Sequence, residues 1–339
     1  MDDPGLAGAR VARPTLRQVA AEAGVSLKTA SRVLNGHPHV TEATSERVRK
    51  AADRLGFRLN RIARELRTGA TSTSVGLIIS DLANPFYSRI ARGADRVLRH
   101  AGLRLITAST DEDRGQERSL VEELLERRVR ALLLVPSADD HGYLEVERRR
   151  IPVVFLDRPP VHLDADTIVV DNRAGARAAA EHLLAAGHRR IGLVGDLSRL
   201  ATQRERMAGF VDAMTAAGRD DWQRYVRSDS HDQLSAELST RDLLTIDPPP
   251  TALFTTNNVN TAGALRALTG RPDPPALVGF DDFDLADVLG ITVVGHEPEE
   301  MGRLAAEMVV SRLAGDNSPA HTVVLPTTLI VRGSGERPG

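Results

Sequence analysis

Six short polar clusters hold most of the side chains that could bind a small molecule. They are Asp81-Leu-Ala-Asn-Pro-Phe-Tyr87, Asp111 to Asp113, Asp157-Arg158, the stretch from Asp196, Asn257-Asn258 and Asp281-Asp282. Each stands just behind an apolar run. Asn, Asp and Arg together supply donors and acceptors, the combination a hydroxyl-rich ligand needs. A second concentration lies near the N-terminus, where Leu27, Lys28, Thr29, Ser31 and Arg32 share one short segment. Lys and Arg match the O6 and N7 acceptors of guanine, and a leucine can meet a thymine methyl. Lys28 is one of only two lysines among 44 basic residues.

Other chemistries find no support. Without cysteine there is no disulfide, thiol nucleophile or cysteine-based metal site. No GxGxxG, Walker, GxSxG or HExxH spacing occurs, and Gly192-Leu-Val-Gly195 alone is too little for a nucleotide loop. No enzyme activity, cofactor or metal is expected, and a catalytic reading would leave the basic N-terminal segment without a purpose.

The elements that must position these residues divide into a small head and a large body. Between Arg10 and Gly69 there are 13 Arg or Lys against 5 Asp or Glu, while the remainder carries 31 against 41. A basic head on an acidic body points to a polyanion partner for the head alone. At 41% hydrophobic residues the chain can bury real cores, and its 339 residues exceed one ordinary domain. The start lacks a basic and apolar signal, and no run approaches a membrane span, so a soluble, cytoplasmic, nucleoid-associated protein is expected.

Within the head, Thr15-Leu-Arg-Gln18 fits a capping box, and Leu16, Val19, Ala20 and Ala23 repeat at helical spacing. Gly24 supplies the turn, Ser26 caps a second helix to Leu34, and Thr41 caps a third that Gly56 closes. Three short helices with a tight glycine turn describe a helix-turn-helix, whose second helix enters the major groove. A protein-docking module of three solvated helices is the alternative. Asn60 then caps a helix of barely two turns, with Ile62, Ala63 and Leu66 on one face, ordered only when something packs on it. Thr68 to Ser74 follows as a polar linker.

In the body, apolar runs at 75–79, 103–108, 131–135, 151–155, 167–170, 191–194, 252–254 and 276–279 alternate with helical stretches such as 116–128 and 174–186. That alternation means parallel sheets with helices on both faces, and about 260 residues of it mean two lobes. Open parallel sheets bind ligands at the carboxyl ends of their strands, where the polar clusters stand.

TLRQVAAEAGVSLKTASRVLNGHPHVTEATSERVRKAADRLGFRLNRIARELRTG resembles the N-terminal part of the lactose-repressor (LacI/GalR) family. The resemblance extends through NPFY at Asn84 to Tyr87, DN and EHLLAAGHRRIGLVG at Asp171 to Gly195, RMAGF at Arg206 to Phe210 and GFDD at Gly279 to Asp282, covering about residues 14 to 335. It implies an α/β fold class, a helix-turn-helix DNA-binding domain with a two-lobed type I periplasmic-binding-protein-like core crossed three times by the chain. By position, Leu27 and Lys28 choose the operator sequence. Thr15, Ser26, Thr29, Ser31, Arg32, Asn35 and His39 anchor the reader, and Asn60, Ala63 and Leu66 belong to the hinge, with Leu66 as a minor-groove wedge. Arg206, Asn257 and Asp281 become effector contacts, joined by Asp157 and Phe86.

The expected organisation is a flexible tail at 1–13, the reader at 14–59, a hinge helix at 60–69, a linker at 70–74 and the core at 75–335. Lobe one takes about 75–171 and 297–325, lobe two about 172–296 and 326–335. A homodimeric repressor of sugar or polyol genes is the reading, with double-stranded operator DNA and a sugar-like effector as partners and no membrane. Plainer roles stay open: Asp281 could cap a turn, Asn257 hold a loop, and Arg206 pair with Glu205. A solute-binding protein shares the body's fold and is the second alternative. Ala30 stands where the family often has Val, His296 where it often has Gln, and the connections at 268–276 and 284–291 are short.

Overall fold

The computed structural model describes residues 14–35, 40–58 and 72–338. Contacts divide the chain into two units, Met1–Thr71 and Ser72–Gly339.

In the first unit, helices α1 (Leu16–Glu22), α2 (Leu27–Leu34) and α3 (Glu42–Leu55) form around small residues. Thr15 and Gln18 make the reciprocal capping box. Gly24 then adopts φ +63°, which lets the Val25 N–H turn back to the Ala20 carbonyl at 3.0 Å. The Ser26 Oγ accepts from the Thr29 N–H at 3.0 Å and opens α2. Thr41 occupies the cap position of α3, but its hydroxyl bonds that of Thr44 instead of a backbone N–H. The first turn closes instead on the Thr41 carbonyl, which accepts from Thr44 and Ser45. Val19, Ala20, Ala23, Ala30, Val33, Val48, Ala51 and Ala52 bury into one cluster. Ala30, at the position where the family often has Val, is fully buried in that cluster.

The second unit begins with β1 (Ser74–Ile79), α4 (Pro85–His100), β2 (Arg104–Ser109), α5 (Arg114–Glu126), β3 (Leu132–Leu134), β4 (Val153–Asp157) and β5 (Asp166–Val170). Next come α6 (Asn172–Ala185), β6 (Ile191–Val194), α7 (Ala201–Ala216), β7 (Val226–Arg227), α8 (Gln233–Leu243), β8 (Ala252–Thr255), α9 (Asn258–Leu268) and β9 (Ala276–Phe280). It ends with β10 (Thr292–Gly295), α10 (Pro298–Leu313), β11 (Thr322–Leu325) and β12 (Thr328–Ile330). Two six-stranded sheets result, ordered β11-β5-β4-β3-β1-β2 and β12-β10-β9-β8-β6-β7. The chain crosses between them three times: after β5, after β10 and after β11.

Strands covered on both faces must be apolar throughout. β3, β4, β8 and β9 are buried along their whole length, and separate clusters of core residues cover the faces of each sheet. Three sequence expectations are adjusted. α5 starts at Arg114 because Asp113 caps it, accepting from Gly115 and Gln116. β4 runs 153–157 instead of 151–155, since the Ile151 N–H is taken by Glu147 in the preceding turn. β12 joins β10 antiparallel, an exception to the parallel expectation. No described helix is long and apolar enough to cross a membrane.

Candidate functional site

The first site is the exposed side of α2. Ala30 and Val33 face the core, which leaves Leu27, Lys28 and Arg32 outward, with Thr29 and Ser31 half-buried beside them. Leu27 is 48% exposed although a core lies one turn away. A leucine held out next to a lysine, at the N-terminal turn of a helix, has the geometry of a groove-reading edge. Asn35 closes α2, its Nδ2 donating to the Ser31 carbonyl at 2.6 Å and to its hydroxyl at 3.2 Å. Thr15 and Ser26, at the helix starts, carry exposed side chains already engaged in capping. His39, Asn60, Ala63 and Leu66 lie outside the described residues.

The second site is a cleft of about 700 Å³ in the larger unit, at the carboxyl ends of the strands of both sheets. All six polar clusters reach it. The two sheets present similar corners. Asp157 ends β4 with φ +66°, and Asp281 follows β9 with φ +68°. Side chains rarely hold that backbone, so each aspartate sits at a costly, fixed bend, as residues at binding sites often do.

On the second sheet's side, Arg206 projects from α7 and is 5% exposed. Its Nε donates to Asn172 Oδ1 at 2.7 Å, and its Nη1 and Nη2 meet the Asp281 carboxylate at 3.2 and 3.3 Å. Nη1 also donates to the Thr256 carbonyl. The guanidinium lies 3.8 Å from the centre of the Phe280 ring, a cation–π contact. Thus Arg206 does not pair with neighbouring Glu205; its partner is 75 positions away. His296 Nε2 bonds Asp281 at 3.0 Å from the other side. Burial would push the Asp281 carboxyl up, but Arg206 and His296 outweigh it and hold it below the usual value.

Asn257 caps α9 through Oδ1, accepting from the Asn260 N–H at 2.7 Å, so the loop-holding role is real. Its Nδ2 also donates to Asp196 at 2.9 Å. His231 reaches the other Asp196 oxygen at 2.8 Å, and that bond raises the imidazole's affinity for a proton.

On the first sheet's side, Arg158 forks onto Glu112 at 3.0 and 2.7 Å and donates to the Pro136 carbonyl. Tyr87 adds a longer contact. Asp157 is 5% exposed, and among the described residues no donor bonds its carboxylate, the Arg158 Nε standing 3.4 Å away without hydrogen-bond geometry. Burial pushes the Asp157 carboxyl up, against the pull of Arg158 and Arg206. Phe86 packs edge-on against Tyr87 and His296 and turns its half-buried ring to the cleft.

Three contacts span the cleft. Arg199 Nη2 donates to the Glu112 carbonyl at 2.9 Å, Asn258 Nδ2 donates to Asn84 at 2.9 Å, and Arg89 pairs with Asp284. The structure therefore gathers Phe86, Asp157, Arg206, Asn257 and Asp281 around one cavity. Tyr87 closed the first polar cluster, whereas Glu112, Arg199 and His231 were not singled out in the sequence. Glu112 lay inside the Asp111–Asp113 cluster, whereas the pairing of His231 with Asp196 left no local signal.

Residues 15–60 match the family described as bacterial regulatory proteins, lacI family, and residues 180–335 match the periplasmic binding protein-like domain. The chain is 34% identical over 331 residues to the HTH-type transcriptional regulator PtxS of Pseudomonas aeruginosa, covering 95% of this chain and 96% of that protein. A solved complex of the transcriptional regulator CelR with cellobiose is similar at 31% identity and TM-score 0.70, over 95% of this chain and 100% of the other. The lac repressor dimer bound to operator and the anti-inducer ONPF is similar at 26% identity and TM-score 0.76, over 95% and 99%.

Proposed function

The chain belongs to the LacI family of DNA-binding transcriptional regulators, and on that premise we propose a homodimeric repressor that grips a near-palindromic operator and responds to a neutral sugar or polyol. The observation that carries this reading is the cleft. Its lining has eight carboxylates and two arginines, and both arginines are already forked onto buried carboxylates. Among the described residues lining it, a phosphorylated or acidic ligand would find no arginine or lysine free of a carboxylate. Hydroxyl groups would find acceptors on Asp157 and Asp281, donors on Arg206 and Asn257, and the Phe86 ring for an apolar sugar face. The similarity to the CelR–cellobiose complex supports the same class.

In this reading Leu27 and Lys28 read base edges, while Thr15, Ser26, Thr29, Ser31, Arg32, Asn35 and His39 contact the backbone. Asn60, Ala63 and Leu66 form the hinge, with Leu66 wedged into the minor groove. The domains follow: reader 14–59, hinge 60–69, linker 70–74 and core 75–335 with a tail before them. A dimer matches a two-fold operator. Leu285, Val288 and Leu289 are 63%, 75% and 56% exposed on one turn after β9, an apolar surface suited to a second copy. Effector binding shifts the balance across Arg199–Glu112, Asn84–Asn258 and Arg89–Asp284, alters the lobe pose and so changes hinge spacing on DNA.

Selection of genomic fragments by the full-length protein, followed by footprinting with and without neutral sugars, tests the proposal. A protected palindrome whose protection changes with one sugar supports it. No preferred fragment at low salt, where backbone contacts are strongest, overturns it in favour of a solute-binding protein.

A further inference from the structure

β1, β2, β3 and β4 are neighbours and parallel, so their N-terminal ends share one edge of the first sheet, opposite the cleft. The chain coming from the reader enters the larger unit at this edge, through Ser72 and Thr73. Arg104 and Arg130 flank it: the Arg104 N–H donates to the Thr73 carbonyl at 2.8 Å and the Arg130 N–H to the Ser74 carbonyl at 2.7 Å. Arg128 stands two residues before Arg130, at the end of α5.

Four further arginines near this edge already have carboxylate partners. Arg127 pairs with Glu123, Arg148 and Arg149 share Glu145, and Arg150 reaches Glu147. Arg104, Arg128 and Arg130 are different. Among the described residues none of them has a carboxylate within 4.0 Å, although the larger unit is acidic overall. Arg104 and Arg128 are exposed and Arg130 half-exposed. Arg128 also holds φ +57°, at a helix end where the Arg128 and Val129 N–H groups turn back to Leu125 and Leu124. Glycine is the residue that position favours. An arginine kept in a left-handed conformation, with no acid within 4.0 Å among the described residues, points to a use for its charge.

We propose that Arg104, Arg128 and Arg130 contact the phosphate backbone of the DNA flanking the operator, so that the effector-binding core is a second, sequence-independent DNA contact. This rests on the regulator reading. The proposed source of the phosphates is the DNA that the reader holds, because the reader is joined to this edge by residues 59–71, whose covalent length is at most about 50 Å. Arginines suit phosphate because the guanidinium fork meets two oxygens at once. Such contacts add affinity and salt dependence without adding sequence preference.

The test compares the full-length protein with the triple variant Arg104→Gln, Arg128→Gln, Arg130→Gln. Both are titrated by anisotropy onto the best fragment from a random duplex library, either trimmed to its half-sites or extended by about one helical turn on each side. Wild type is expected to bind the extended duplex more tightly. The variant is expected to lose that advantage and to show a log K against log salt slope shallower by about 0.9 per lost phosphate contact. The trimmed duplex should bind both proteins alike. A triple arginine-to-lysine variant, keeping the charge, should retain most of the slope and guards against a folding artefact. Equal affinities and slopes for wild type and glutamine variant on the extended duplex overturn the proposal while leaving the reader intact. Failure of wild type to bind any duplex overturns the regulator reading, and this inference with it.

Discussion

Replacing Arg206 by lysine keeps the charge in the cleft but removes the fork. In the structure that fork holds Asn172 at 2.7 Å, both Asp281 oxygens at 3.2 and 3.3 Å and the Thr256 carbonyl, over the face of Phe280. One ammonium can follow Asp281 but cannot also serve Asn172 and Thr256. Each hydrogen bond to a charged group is worth ~1.5–3 kcal/mol. With water entering from the cleft to replace part of that, stability should fall by ~2–4 kcal/mol, short of the ~3–5 kcal/mol of an orphaned buried charge. In our proposal the fork also donates to a ligand hydroxyl. Losing that one bond, at about 1.4 kcal/mol per decade, means effector binding about 10- to 150-fold weaker. Calorimetric titration with the sugar measures it, thermal denaturation measures the stability change, and operator affinity without sugar should stay as in wild type. Sugar affinity within about threefold of wild type, less than 1 kcal/mol on the affinity scale, would remove Arg206 from the binding geometry.

The remaining predictions concern the reader, the hinge and pH. Lys28→Ala should change the preferred base at one half-site position by ~1–3 kcal/mol in a selection assay; a uniform loss over all sequences would mean it contacts phosphate. Leu66→Ala should weaken operator binding at least tenfold, ~1.4 kcal/mol, with sugar binding unchanged, and equal operator affinity would refute the wedge. The His231 imidazole is raised by its bond to Asp196. That bond therefore contributes fully below the unfolded value near 6.5 and is lost as pH rises through the raised folded value. If Asp196 positions Asn257, sugar affinity should fall across that upper window in wild type and stay flat in His231→Gln. Parallel pH profiles for the two proteins would show that the pair does not serve the site.

What could be read in the sequence was what neighbouring residues decide. Thr15 with Gln18, Gly24, Ser26 and Gly56 act within one turn of their own positions, so the reader's helices are legible in local sequence alone. The cleft was legible as a set of places, because polar residues behind apolar runs mark strand ends. Their partners were not. Arg206 looks past adjacent Glu205 to Asp281, and Arg158 forks onto Glu112, 46 positions earlier. Such pairs are chosen by the stacking of strands in the sheets, which local spacing does not encode. β7 has two residues and β12 three, too few to show alternation, and the antiparallel seat of β12 depends on the last crossover. Asp157 shows the same limit from the other side. Its position was expected, but that it stands buried with no hydrogen-bond donor among the described residues is a property of the packed cleft.

The central claim is that occupancy of the cleft controls the grip on DNA. Its most direct test is operator affinity of the full-length protein, measured by anisotropy with and without a saturating neutral sugar whose binding has been confirmed by calorimetry. We predict a change of about 5- to 150-fold, the usual size of coupling between distant sites, and in Arg206→Lys the same change only at about 10- to 150-fold higher sugar concentration. Equal operator affinity with the cleft filled and empty would contradict the account.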